Sequence, residues 1–179
     1  MIFAPTSVDG AFVIRPERFE DERGFFARTF CVRELAEHGI DPTVVQRSVS
    51  YNRRRGTLRG MHYQTAPHEE NKLVSCMRGS VYDVIIDVRP GSTSYRRWFG
   101  VELTADGFET LFIPKGCAHG FITLTDDALV HYELSEFYHP ESARGVRYND
   151  PAFGVEWPMA PVVINARDAG YPLVSAGTP

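Results

Sequence analysis

Cysteine is scarce in this chain and poorly spaced for pairing. The 179 residues include three, Cys31, Cys76 and Cys117, with no CxxC among them. An odd count excludes a complete set of internal disulfides, and three reduced thiols in a cytoplasmic protein are expected. Long apolar runs are also missing. None approaches about 18 residues, so no membrane-spanning helix is expected. Met1–Gly10 has neither a basic start nor an apolar core, so no signal peptide is expected. Positive charge is short as well: 19 Lys and Arg stand against 23 Asp and Glu, a net charge of −4. A general nucleic-acid binder needs a broad basic surface, and the composition disfavours one. Six histidines are present, but no HxH, HxxH or HExxH spacing. Metal ligation normally needs two or three histidines and a carboxylate converging at tight spacing. No metal and no other cofactor are therefore expected.

What is present is an ordinary globular balance, 43% hydrophobic and 23% charged. The length fits one domain, 1–179, which can bury roughly 70% of its unfolded surface without staples. Short segments rich in Val, Ile, Phe, Tyr and Thr recur between turn residues, and they predict strands. These cover Ala11–Arg15, Gly24–Phe30, Thr43–Val49, Thr57–Gln64, Lys72–Met77, Ser80–Val88, Arg97–Leu103, Phe108–Ile113, Ala118–Leu124 and Ala128–Phe137. Val32–His38 alone reads as a helix, with Gly39 able to end it in the left-handed region. About ten strands without interleaved helices predict a sandwich or barrel. The last thirty residues are rich in proline (Pro151, Pro158, Pro161, Pro172, Pro179) and predict an irregular tail wrapped on the barrel.

Four segments could carry chemistry. In Asn52–Gln64, Arg53, Arg54 and Arg55 read as a solvated loop. Arg59 lies inside an apolar-flanked strand, where an unpaired charge is costly, so an anionic ligand such as a phosphate would suit it. Strict alternation puts Arg59 and His62 on opposite faces unless Gly60 hosts a bulge. A lone strand histidine is more often structural than catalytic. Pro114–Phe121 is a tight glycine turn that opens a strand at His119. In Val81–Val88, Asp83, Ile85 and Asp87 share one face. That is either an outward acidic row or a polar barrel lumen, with Lys72 as a source of compensating charge. Tyr132 and Tyr138 share a parity. They are core aromatics, or an acid and a stacking platform.

Taken together, these segments resemble the signature of the dTDP-4-dehydrorhamnose 3,5-epimerase family. The resemblance is carried by Asp21–Phe26, Gly56–Gln64, Lys72-Leu73-Val74, Ile113–Phe121 and Asn149-Asp150-Pro151, in consistent order over almost the whole chain. It implies an all-β, cupin-like jelly roll that works as a homodimer without metal on a nucleotide-sugar substrate. By motif position His62 resembles the catalytic base, Asp168 its carboxylate partner and Tyr132 the proton donor. Lys72 would stabilise the oxyanion, and Tyr138 would stack on the nucleotide base. Arg23, Gln46, Arg59 and His119 match substrate-binding positions. The implied reaction inverts C3 and C5 of a 4-keto-6-deoxyhexose, with C3-only inversion the alternative. A metal-dependent cupin enzyme and a non-catalytic sugar-nucleotide-binding jelly roll are more distant readings. The chain departs from the pattern at Arg28, where a Glu is usual, and at Gln46-Arg47-Ser48 and Ala143. Those departures bear on the base, not on the reaction type.

Overall fold

The computed structural model describes residues 1–174; Pro179, the last proline of the tail, lies outside them. In chain order the strands are β1 (Ile2–Pro5), β2 (Phe12–Arg15), β3 (Arg18–Asp21) and β4 (Gly24–Ala27), followed by helix α1 (Val32–Glu37). Then come β5 (Gln46–Asn52), β6 (Leu58–Gln64), β7 (Lys72–Arg78), β8 (Ser80–Asp87), β9 (Trp98–Thr104), β10 (Thr110–Ile113), β11 (Cys117–Thr123), β12 (Ala128–Leu134), β13 (Ala143–Gly145) and helix α2 (Ala166–Ala169). A six-stranded sheet runs β1-β2-β10-β7-β12-β5, and a five-stranded sheet runs β13-β6-β11-β8-β9. The two pack as a jelly roll, and β3–β4 stands apart as a two-stranded hairpin.

Period-two alternation explains the layering. Val13, Val74, Leu111 and Val130 from one sheet meet Val81, Ile85, Leu103 and Phe121 from the other in the main core. Strand β8 is buried on its other face too. There Val84 and Ile86 pack with Met61, Ala118, Val146 and Phe153, and Trp157 of the proline-rich tail closes over them. This double burial is why β8 reads as a near-continuous apolar run. Helix α1 covers the outer face of the six-stranded sheet through Leu35, which packs with Ile14, Ile40 and Phe112. It ends as expected at Gly39, whose φ is +71°.

The strand expectations hold for the core strands, with ends shifted by a few residues. Four elements were not foreseen: β1, β3, β13 and α2. Strand β3 was hidden because Arg18-Phe19-Glu20-Asp21 is exposed at every residue and has no buried face to pattern it. Strand β13 and helix α2 span three and four residues, too short for any period to show. No helix of the described residues is long and apolar enough to cross a membrane.

Candidate active site

Strand β6 places the site. Its register against β11 pairs His119 with His62 and Phe121 with Arg59, so β6 carries one extra residue. That is the bulge Gly60 allows: its φ is +126°. A Cβ at Gly60 would stand 2.4 Å from the Gly120 Cα, and one at Gly120 would stand 2.6 Å from the Arg59 carbonyl. Two glycines thus permit a backbone approach that no side chain tolerates. The bulge overturns strict alternation and turns both Arg59 and His62 toward one cavity. The cavity measures about 340 Å³ and is lined also by Glu70, Lys72, His119, Tyr132, Tyr138 and Asp168.

His62 is half-exposed, and its Nε2 lies 2.8 Å from Asp168 Oδ1. The carboxylate is buried, at 1% exposure. Its Oδ2 accepts the Gly60 N–H at 3.0 Å, and its own N–H donates to Asn165 Oδ1 at 2.7 Å, the N-cap of α2. Burial pushes the Asp168 carboxyl up, but the bonds from His62 and the Gly60 N–H outweigh it, and the result lies below the usual carboxylate value. An anionic Asp168 fixes the imidazole's orientation.

A second histidine–carboxylate pair lies deeper. His119 Nε2 meets both oxygens of Asp83, at 2.9 and 3.0 Å. Both side chains are buried, and burial raises the Asp83 carboxyl despite His119. The acidic row of β8 thus faces inward. Asp83 is answered by His119, and Asp87 by Arg89, Ser92 and Ser94. Lys72 is not the direct partner of either: its ammonium lies 2.6 Å from Glu70 Oε1 and donates to the His62 carbonyl at 3.3 Å. The Tyr132 ring stands 5.9 Å from that of His119, edge-on. Burial pushes its phenol well above the ordinary value, so it is a neutral donor at pH 7.

Arg59 is exposed, contrary to the expectation of a charge stranded among apolar neighbours. Its Nε donates to Asn52 Oδ1 at 2.8 Å, which leaves the guanidinium without a carboxylate partner among the described residues. Arg144 and Arg167 join it around the cavity; neither was singled out from the sequence, although Arg167 adjoins Asp168. Tyr138 is 60% exposed at the mouth. Gln46 does not line the cavity: its Oε1 accepts the Tyr138 N–H at 3.1 Å, so it positions that segment. Arg23 is not brought to the cavity either. It lies on the β3–β4 hairpin, paired with Asp21. Arg28 has turned to a neighbouring carboxylate, Glu34, at 3.0 Å.

The fold also gathers His68, Glu136 and His139, whose ligand atoms lie within 4.8 Å of one another. Sequence spacing gave no sign of this group. The two imidazoles are stacked, with centroids 3.5 Å apart and planes 10° apart. Their in-plane lone pairs do not converge on a common point, so this arrangement is not a preformed metal centre.

Comparison with known proteins agrees with this geometry. The family model described as dTDP-4-dehydrorhamnose 3,5-epimerase matches residues 5–176. The chain is 40% identical over 172 residues to a dTDP-4-dehydrorhamnose 3,5-epimerase of Methanothermobacter thermautotrophicus, covering 94% of this chain and 92% of that one. A dTDP-6-deoxy-D-glucose-3,5-epimerase from Legionella pneumophila, solved with dTDP-4-keto-L-rhamnose, superposes with a TM-score of 0.88 at 37% identity. That match covers 96% of this chain and 92% of the other. ChmJ, a 3′-monoepimerase from Streptomyces bikiniensis solved with dTDP-quinovose, gives 0.86 at 34% identity, covering 94% and 86%.

Proposed function

The chain belongs to the dTDP-4-dehydrorhamnose 3,5-epimerase family, and from that premise we propose that it inverts C3 and C5 of a dTDP-linked 4-keto-6-deoxyhexose in deoxysugar synthesis. The observation that carries the reading is the His62–Asp168 pair, opening on the same cavity as Lys72 and a neutral Tyr132. A ketone at C4 acidifies the hydrogens on both adjacent carbons, because the resulting carbanion is an enolate. His62 removes one such proton, and the imidazolium is held by Asp168. Lys72 stabilises the enolate oxygen. Tyr132 returns a proton to the opposite face of the carbon. Proton loss and gain balance, and no redox step occurs. Arg59, with Arg144 and Arg167, suits the diphosphate, whose binding energy positions the sugar. His119 lines the cavity floor toward the sugar, and Tyr138 at the mouth offers a stacking face for the base.

The β3–β4 hairpin supports a homodimer. Phe19 and Phe26 are 68% and 72% exposed on it, and Arg23 has no role within its own protomer's cavity. Seating that hairpin on a second copy covers the apolar rings and lets Arg23 reach the other diphosphate site. The three free thiols suit a reducing cytoplasm, where we place the enzyme.

Turnover in heavy water tests the reaction. Deuterium at both C3 and C5, with both centres inverted, is the expected product. The similarity to a 3′-monoepimerase favours a second reading, C3-only inversion, which label confined to C3 would establish. Absence of label at either carbon would rule out the enolate mechanism.

A further inference from the structure

The Lys72 ammonium is enclosed in the cavity, and what holds its charge there is a residue outside the mechanism above. Glu70 and Lys72 are 8% and 7% exposed. They lie two residues apart, Glu70 just ahead of β7 and Lys72 at its first position. Their charged ends meet at 2.6 Å. The other Glu70 oxygen, Oε2, is buried without a hydrogen-bond partner among the described residues. Asp87 is the contrast: Arg89, Ser92 and Ser94 engage both of its oxygens, as befits a carboxylate built into the frame. Glu70 spends one oxygen on Lys72 and nothing on the frame.

Burial disfavours an ammonium, and the other groups around Lys72 do little to retain it. From β8, Asp83 is engaged by His119 and driven toward its neutral form by burial. From β11, the Cys117 thiol is pushed up to about 12 and stays neutral, while His119 adds no negative charge. From β12, Tyr132 is neutral. From β6, His62 offers its carbonyl, and its ring is turned to Asp168. We infer that Glu70 is the positioning residue that keeps Lys72 protonated and anchored for enolate stabilisation. This rests on the reading of Lys72 given above. It also makes Glu70 a determinant of the pH range in which the enzyme works.

The composition gives a direct readout. The chain has two lysines, Lys72 and Lys115, and Lys115 is exposed. Protein labelled with carbon-13 at the lysine ε position therefore gives two signals to follow against pH. In wild type at pH 7 both signals should stand at the ammonium position. In E70Q the Lys72 signal should move toward the neutral-amine position while that of Lys115 stays put. The basic limb of the kcat profile should move down with it, and KM should change less than kcat. An unmoved Lys72 signal in folded E70Q would overturn the inference. Should E70Q fail to fold, wild type decides, because a Lys72 signal at the neutral-amine position at pH 7 would overturn it equally. Wild type that does not turn over a dTDP-4-keto-6-deoxy sugar would sink the enzymatic reading instead, and the lysine titration would still judge Glu70.

Discussion

Two histidine–carboxylate pairs bring their histidines to one cavity, and their differences are instructive. His62–Asp168 and His119–Asp83 have nearly the same contact distance, 2.8 and 2.9 Å. Their surroundings divide them. Asp168 receives a backbone N–H from Gly60 as well as the imidazole, and it lies below the usual carboxylate value. Among the described residues Asp83 has no donor besides His119, and burial drives it up. His62 is open to the cavity, whereas His119 is closed in. Identical residue types therefore suit opposite tasks. One pair holds an accessible base over a fixed anion, and the other is a packed polar support that tolerates a neutral carboxyl.

The sharpest break of that comparison is His62→Ala. Turnover should fall by at least about 10³-fold, since the proposed base is gone. Binding of thymidine diphosphate, followed by calorimetry, should stay within a few-fold because the groups proposed to hold the diphosphate, Arg59 and its neighbours, remain. Near-normal turnover would remove His62 from the mechanism. Asp168→Asn comes next, with kcat down about 10²–10⁴-fold, because an amide neither fixes the imidazole in the same way nor stabilises its charge. Asp83→Asn should cost less than about tenfold, or about 1.4 kcal/mol of barrier. An amide is close to the neutral carboxyl that burial already favours there. If Asp83→Asn proved as damaging as Asp168→Asn in the same steady-state assay, the division of roles between the pairs would be lost.

A smaller effect sharpens the comparison from outside the cavity. Asp87 is fully buried, and although burial opposes it, its bonds from Arg89, Ser92 and Ser94 hold it down at about 2. A carboxylate lowered in the folded state stabilises above its ordinary value and loses that contribution as pH falls through the folded value. The gain is about 2 kcal/mol at neutral pH, fully present above about pH 5 and lost between about pH 4 and pH 2. Urea melts of wild type and Asp87→Asn should differ at pH 7 and converge near pH 2. A constant gap would show that packing, not charge, is what Asp87 contributes.

Much of the frame was legible because β-alternation and turn residues are local signals. Strands β7, β8, β11 and β12 each carry an apolar face long enough to see. The hairpin strand β3 was illegible because it has no buried face. Family motifs gave His62, Lys72, Tyr132 and Asp168, all of which line the cavity, and also Arg23 and Gln46, which do not. Glu70, Arg144 and Arg167 carried no signal of their own beyond lying beside motif residues.

Sequence by itself determined the β-rich frame, the helix end at Gly39 and the glycines at 60 and 120 that make a bulge possible. Tertiary structure decided which faces and partners resulted. Asp168 meets His62 across 106 positions, and that contact exists because the tail closes over the five-stranded sheet and α2 presents the carboxylate there. Whether Arg59 and His62 share a face depended on the register of β11 against β6. Whether Asp83 met Lys72 or His119 depended on which side chain the sheets enclosed beside it. Alternation is written in neighbouring residues, whereas register and pairing between distant ones are settled by packing, since a buried charge takes the partner that the closed core leaves within reach.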